Sequence, residues 1–206
     1  MPPKTVFSRD AVLEAGFQVL RKRGLQGLTS RNVARELDAS VMPVYSSFGS
    51  MRQFVNAVIG KARDLMLEYA SRPHTDMVFL NMGVGIAKFA RDEPAFFRAM
   101  FLERGDFKGI IDEFLATLCD GMRQDPMFAE MPHEARMALL MKMWVYTHGL
   151  ASLICVGVVD DTSDAFIVSS LRGVGRIVSG AALAEHRGER AESGGRPQPP
   201  RQNRGV

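Results

Sequence analysis

Cysteine, tryptophan and histidine are scarce in this chain of 206 residues, which has two cysteines, one tryptophan and four histidines. Cys119 and Cys155 form no CxxC pair, and so we expect both to be small apolar core residues. The histidines lack the spacing of metal ligands. We therefore predict no metal site and no cofactor.

A long uninterrupted apolar run is also missing. The closest stretch, 143–159, falls just short of a membrane span and contains Thr147, His148 and two glycines. Residues 1–5 lack the apolar stretch of a signal peptide. These absences predict a cytoplasmic protein with no membrane partner.

Charge is distributed unevenly although the net charge is only +3. Residues 1–63 contain ten Lys/Arg and four Asp/Glu, whereas residues 64–183 contain eleven Lys/Arg and sixteen Asp/Glu. A basic N-terminal third beside an acidic remainder indicates a part that binds a polyanion, joined to a separate body.

The apolar residues repeat with helical spacing and show no alternating β pattern, which predicts an all-α fold. We predict a first helix over 9–23 with Ser8 as its N-cap and Gly24 at its end. A second helix starts at Thr29 or Ser30 and ends near Leu37. The remaining helices are predicted at 40–48, 50–70, 76–91, 94–103, 107–123, 133–158 and 162–183.

The second and third helices, joined by a tight turn at 38–40, form a helix-turn-helix pattern. In such a motif the first helix braces the second, whose N-terminal side chains face base edges in the major groove of DNA. The predicted inner faces consist of Val33, Ala34, Leu37, Val44 and Phe48. The outward positions are Val41, Met42, Pro43, Ser46 and Ser47, with Tyr45 at the edge.

The stretch 7–59 resembles the DNA-binding domain of the TetR family of transcription regulators. The matching residues are Ala15, Arg23-Gly24, the segment 28–34, Leu37, Ser40, the segment 44–48 and Phe54. The resemblance implies a homodimer that binds palindromic operator DNA, acts as a repressor rather than an enzyme, and is released by a small-molecule effector.

The family's DNA contacts can be carried over by position. Thr29, Ser30 and Arg31 are expected to hold phosphates through hydroxyl groups and the helix N-terminus. Tyr45 resembles the family's phosphate-contacting tyrosine; the alternative is that it packs between the helices. The residues expected at the bases are Val41, Met42 and Ser46, with Pro43 beside them.

Three positions depart from the family's pattern. Met51 replaces a lysine that usually contacts a phosphate, Ser47 replaces a histidine or tyrosine, and Asp38 replaces a turn glycine. We expect either weaker non-specific DNA binding or compensation by Arg52 and the N-terminal arm.

The segment Trp144–Ala151 resembles the tryptophan–histidine–glycine class of TetR C-terminal domains, and the segment 94–101 fits the same class. Trp144 and His148 are four residues apart and share a helix face. This arrangement predicts an apolar or aromatic ligand pocket; the alternative is a core histidine beneath a core tryptophan. The predicted lining is drawn from Phe97, Phe101, Phe114, Met141, Trp144 and His148.

The last two long helices are predicted to form the dimer, because small residues there permit close approach: Gly173, Gly175, Ser179 and Gly180. The predicted organisation is a helix-turn-helix domain at 1–50, a connecting helix at 51–73, a ligand-binding and dimerisation bundle at 74–183, and a disordered tail at 184–206.

Two other residue patterns bear on nucleotide binding and on catalysis, and one alternative function remains open. The Gly-Val-Gly segments at 83–85 and 173–175 resemble pieces of a phosphate loop, but follow no strand, so close helix packing is expected. His148 and Cys119 lack a third orienting residue for nucleophilic catalysis. A second function of another class is a DNA-binding scaffold whose body binds a protein partner and no small ligand.

Overall fold

The computed structural model describes residues 7–194, with side chains up to His186. These residues form nine α-helices and no strand, so the all-α prediction is confirmed. The helices are α1 Arg9–Gly27, α2 Ser30–Glu36, α3 Met42–Phe48, α4 Met51–Ser71, α5 Val78–Asp92, α6 Pro94–Phe97, α7 Lys108–Gly121, α8 His133–Cys155 and α9 Asp164–Gly194. We call α1–α3 the head and α5–α9 the body; α4 connects them.

Hydroxyl side chains start three of the helices. Ser8, Thr29 and Ser50 each accept a hydrogen bond from the backbone N–H three residues further on, at 3.1, 3.3 and 3.2 Å. Each bond satisfies a backbone donor that the first helical turn leaves without a partner. The predicted beginnings of α1, α2 and α4 therefore agree with the structure to within one residue.

Two helix ends differ from the prediction. Gly24 has a positive φ of 66° and kinks α1, which nevertheless continues to Gly27. The last helix extends to Gly194, so the prediction of disorder from residue 184 is wrong for residues 184–194. Ala184 and Glu185 are strong helix formers, and this propensity outweighs the lack of apolar residues. The rest of the tail, 195–206, and the N-terminal arm, 1–6, lie outside the described residues.

The connecting helix α4 is buried along its length. Phe54, Ala62 and Met66 are fully buried, and α4 packs closely on α5 where Gly85 faces the last turn of α4. A Cβ atom on Gly85 would lie only 2.1 Å from the carbonyl oxygen of Tyr69. The two backbones therefore approach closely at a position where only glycine fits.

A second contact joins the head to the body directly, between α1 and α6. The rings of Phe17 and Phe96 stack with centroids 4.3 Å apart. Beside them, the guanidinium of Arg21 donates two hydrogen bonds to the Glu93 carboxylate, at 2.7 and 2.9 Å. The head is thus attached both through α4 and through this paired contact.

An apolar face of α8 and α9 has no partner within the described residues. By length and composition alone, the segments His133–Cys155 and Asp164–His186 could cross a membrane. Only 17% of the most apolar window of Asp164–His186 is buried inside the protein, so most of that window is available to contact another molecule. Val145 is 71% exposed and Ile177 is 75% exposed. The other exposed apolar residues on α8 are Met141, Tyr146 and Leu153. Such a face is typical of a surface that another molecule covers.

Candidate functional site

The helix-turn-helix is braced by apolar contacts on its inner side. Val33 and Val44 are fully buried between α2 and α3. Phe48 packs edge-on against Phe54 of α4, with centroids 5.0 Å apart, and the guanidinium of Arg9 lies 4.5 Å from the Phe48 ring centroid. These contacts fix the direction of α3 relative to α1 and α4.

The outer side of α3 is exposed. Met42 is 62% exposed and Tyr45 is 42% exposed, and they are the only large apolar side chains so exposed among the described residues of the head. Tyr45 therefore does not pack between helices. Ser46 is also exposed, whereas Val41 and Pro43 are half-buried. The N-terminal end of α3 thus presents a mixed apolar and hydroxyl surface to solvent.

The residues expected at phosphates lie at the beginning of α2. Thr29 and Arg31 are exposed and Ser30 is half-buried. The Thr29 hydroxyl caps α2, and the Asn32 side chain donates to the carbonyl of Gly27 at 2.7 Å. These bonds hold the helix N-terminus, with its partial positive charge, beside the exposed Arg31.

Arg52 is exposed near the beginning of α4 but already has a partner. Its guanidinium donates to the carboxylate of Asp106 at 2.6 Å, with both side chains about three-quarters exposed. An exposed ion pair of this kind contributes little stability. Arg52 therefore remains able to exchange this carboxylate for a phosphate.

The aromatic residues predicted for a ligand pocket pack mainly on one another. Phe101 lies 5.0 Å from Phe97, 5.5 Å from Trp144 and 5.2 Å from His148, centroid to centroid. Phe114 packs edge-on against Trp144 at 5.8 Å. Met141 instead shares the outer face of α8 with Val145 and is 41% exposed. We call Phe97, Phe101, Phe114, Trp144 and His148 the aromatic cluster.

His148 is the only polar member of the aromatic cluster apart from the indole of Trp144. Its Nδ1 atom is buried and has no hydrogen-bond partner among the described residues. Burial lowers the pKa of His148 below its ordinary value of 6.5. The folded protein therefore holds this imidazole in its neutral form.

Acid should destabilise the protein less when His148 is replaced by phenylalanine. Well above pH 6.5 the imidazole is mostly neutral in both the folded and the unfolded chain. As the pH falls below 6.5, the unfolded chain binds a proton that the folded chain resists because its pKa is lowered, so stability is lost. Urea unfolding at pH 7 and pH 5 of wild type and His148→Phe measures the difference. The variant His74→Gln measures the contribution of a second histidine whose pKa is lowered by burial. Equal pH dependence of wild type and His148→Phe would contradict the prediction for His148.

A cavity of about 220 Å³ lies between the beginning of α5, the segment after α7, α8 and α9. Of the six residues predicted to contact a ligand, only Trp144 lines it. The remaining lining is mostly apolar and includes Met77, Phe79, Met82, Met127, Phe128, Leu140 and Met143. The loop segment is held in place by Asp125, whose carboxylate accepts from the backbone N–H of Phe79 at 3.1 Å.

Small residues of α9 open this cavity. Gly175, Ser179 and Gly180 line it, so that these small side chains leave space there; whether they also permit close approach of a second protomer stays a prediction. Sequence reasoning also missed Arg172 and Arg176, which line the cavity. The spacing of four residues between the two arginines, followed by Ser179 and Gly180, was the sequence signal that could have placed them on one side of α9.

Cys119 does not approach His148. Its sulfur lies 3.8 Å from Nδ1 of His133, and burial raises the pKa of the Cys119 thiol. A buried thiol that stays protonated is a poor nucleophile. The geometry of this residue therefore offers no support for covalent catalysis.

Comparison with known proteins gives a partial sequence match. No family model matches the chain. A stretch of 99 residues is 32% identical to the HTH-type transcriptional repressor DrrR1 of Streptomyces coeruleorubidus, covering 47% of this chain and 34% of that repressor. The match thus spans about a third of the length of this curated relative.

Solved structures share the fold over most of the chain. A TetR-family transcriptional regulator from Streptomyces coelicolor matches with a TM-score of 0.66 at 12% identity, covering 85% of this chain and 88% of its own. A TetR-family regulator from Rhodococcus sp. matches with a TM-score of 0.60 at 17% identity, covering 83% and 98%. The multidrug binding protein EbrR, complexed with imidazole, matches with a TM-score of 0.56 at 15% identity, covering 80% and 92%. The chain has the fold of TetR-family regulators.

Proposed function

We propose that this chain is a cytoplasmic transcription regulator, acting as a repressor, that binds palindromic operator DNA as a homodimer and releases it when a small apolar or aromatic effector enters the body. The observation that carries the proposal is the braced helix-turn-helix, whose α3 exposes Met42, Tyr45 and Ser46 at its N-terminal end. The fold and the partial match to a repressor support it.

On DNA, the N-terminal end of α3 enters the major groove. Val41 and Met42 contact thymine methyl groups, because apolar side chains offer no hydrogen bond with which to recognise a guanine. Ser46 contacts a base edge. Tyr45, Arg52 and the beginning of α2 hold the flanking phosphates. These contacts predict a preference for A·T base pairs at the positions that face Val41 and Met42.

The dimer is formed by the exposed apolar face of α8 and α9. A two-fold contact pairs this face with itself, which removes Val145 and Ile177 from water. Two copies of α3 then lie about 34–36 Å apart, the length of one turn of DNA. An operator made of two inverted half-sites follows from this symmetry.

Replacing both Val145 and Ile177 by aspartate should convert the dimer into a monomer. The side chains are 71% and 75% exposed in the protomer, so the substitutions spare its core but place unpaired carboxylates in the interface. Light scattering at micromolar concentration measures the mass. Ala116→Asp, at an exposed position of α7, is the control and should remain dimeric. A dimer that survives the double substitution would locate the interface elsewhere.

The effector acts through the contacts that join the body to the head. Phe101 belongs to a π-helical turn, Arg98–Leu102, that follows α6 directly. Trp144 lines the cavity and also packs on Phe101, so a ligand that displaces the indole displaces this turn. That turn continues α6, whose Phe96 stacks on Phe17 of the head. The ligand needs to favour the released arrangement by only about 1–3 kcal/mol to act as a switch.

Selection of bound duplexes from random DNA tests the proposal. The full chain should enrich an inverted repeat, and the selected duplex should be released by compounds that quench or enhance the fluorescence of Trp144, the single tryptophan. If no inverted repeat is enriched, the proposed operator binding is wrong. If a repeat is enriched but no apolar compound changes either signal, the scaffold alternative is favoured.

A further inference from the structure

Two arginines lie at the edge of the internal cavity. Arg172 and Arg176 are one helical turn apart on α9; both have exposed side chains and both line the cavity. The ion pairs of α9 are made by Asp164, with Lys88 and Arg91, and by Glu185, with Lys142. Neither Arg172 nor Arg176 pairs with a carboxylate of a described residue. Two positive charges therefore stand at the edge of an apolar space without compensation from that part of the chain.

The interior behind these arginines is suited to a hydrocarbon. The lining includes three residues of α5, Phe79, Met82 and Ile86, and none of the described lining residues is acidic. The other polar groups among the described lining residues are the indole N–H of Trp144 and the hydroxyls of the buried Thr147 and Ser179. A volume of about 220 Å³ corresponds to roughly seven water molecules and is below the range of drug-sized pockets. The cavity thus fits one short chain or one ring.

We propose that the cavity binds a small apolar carboxylic acid, with its hydrocarbon part among the methionines and its carboxylate on Arg172 and Arg176. The guanidinium groups match a carboxylate because each can donate two parallel hydrogen bonds. Ser179, one turn beyond Arg176, supplies a hydroxyl donor on the same side of α9. This assignment rests on the proposed function in taking the cavity as the effector site, and adds the charge and size of the ligand.

The proposed dimer leaves this site accessible. Ile177, on the exposed apolar face, is separated from Arg172 by about 140° and from Arg176 by about 100° around α9, because each residue turns an α-helix by about 100°. The acid therefore enters from one side of the helix while the second protomer covers the other. A cationic ligand is disfavoured, since the described lining offers no carboxylate to pair with it.

Titration of the full chain, without DNA, with octanoate, 1-octanol and octylammonium at pH 7 tests the assignment. These probes share a hydrocarbon chain and differ in charge. Fluorescence of Trp144 reports occupancy, and calorimetry measures the affinities independently. We expect octanoate to bind at least about tenfold more tightly than 1-octanol, because hydrogen bonds to a charged group are the stronger kind. Octylammonium should bind most weakly.

Two variants locate the two halves of the site. Arg172→Gln with Arg176→Gln should reduce the preference for octanoate over 1-octanol to about one, with the affinity for 1-octanol unchanged. Gly175→Leu should abolish binding of both, because a Cβ there meets only Met143 Cε, at 3.9 Å, and the larger side chain fills the space. Equal affinity for the two probes in wild type, a preference that survives in the double variant, or no binding of either probe would each overturn the assignment.

The effect on DNA is measured separately. If octanoate binds through the arginines but leaves operator affinity unchanged, the carboxylate site stands and the proposed release mechanism fails. If 1-octanol binds and releases DNA as well as octanoate does, the release mechanism stands and the carboxylate site is wrong.

Discussion

Replacing Gly85 by alanine should destabilise the protein by about 3 kcal/mol, near the upper end of the usual cost of overpacking a core. The added Cβ would lie 2.1 Å from the carbonyl oxygen of Tyr69 and 2.6 Å from Cα of Ala70. Both are backbone atoms, so no side-chain rotation relieves the clash and α4 must move away from α5. We expect the thermal midpoint to fall by about 6–12 °C, given the usual relation for a chain of this size.

Gly60→Ala is the matched control. Gly60 lies in α4, like the atoms that Gly85 approaches, but a Cβ atom there meets nothing within 4 Å. Alanine is a better helix former than glycine, so this variant should be unchanged or more stable by up to about 1 kcal/mol. Urea unfolding of the two variants beside wild type makes the comparison. Equal stability of Gly85→Ala and Gly60→Ala would show that the close α4–α5 approach does not exist.

Replacing Met42 by aspartate should reduce affinity for the selected operator about 100-fold, which corresponds to about 2.8 kcal/mol. Met42 is the first residue of α3 and is 62% exposed, so the substitution leaves the core intact, and a carboxylate in the first helical turn is favourable for the helix. On DNA, however, the same carboxylate faces a polyanion, and like charges brought together cost several kcal/mol. Anisotropy of a labelled duplex measures the affinity, and thermal melting verifies the fold.

Two variants separate this effect from a change in net charge. Ala116→Asp adds the same charge at an exposed position of α7 and should leave the affinity nearly unchanged. Arg31→Ala should weaken binding to all sequences alike and make the salt dependence shallower by about one phosphate contact. Retention of wild-type affinity by Met42→Asp would mean that α3 does not enter the groove.

Much of the fold could be predicted because its signals are local. Ser8, Thr29 and Ser50 cap helices in the structure, and a hydroxyl residue before an apolar period is visible in sequence. The direction of the chain after Gly24 was less predictable, since a glycine with positive φ can end a helix or only kink it. The extent of α9 was missed because its last residues form a helix without an apolar face.

The candidate sites were predictable to different degrees. The helical period indicates which side of α3 faces outward; of the residues predicted there or at its edge, the structure exposes Met42, Tyr45 and Ser46 and leaves Val41, Pro43 and Ser47 half-buried. The shared helix faces of Trp144 with His148 and of Phe97 with Phe101 follow from the same period, but the sequence predicted these residues as a pocket lining, and their packing on one another across helices was not predicted. The cavity was not predicted, since it is formed by missing volume: Gly175 and Gly180 of α9 line it together with Met127 and Phe128, which are distant in sequence. The spacing of apolar residues in α8 does not show which side of the helix packs tightly and which side borders a cavity.

The attachment of the head at two separate places restricts how it can move. One place is the continuous backbone of α4, and the other is the pair of contacts Phe17–Phe96 and Arg21–Glu93. Because α1 also packs along α4, where a Cβ atom on Gly16 would lie 2.3 Å from Cζ of Phe54, the head is not free to rotate about these two places. A displacement of α6 therefore moves the head, and α3 with it, together with α4. In the proposed symmetric dimer the two-fold axis relates the two displacements by rotation, and the separation of the recognition helices becomes a single geometric coordinate.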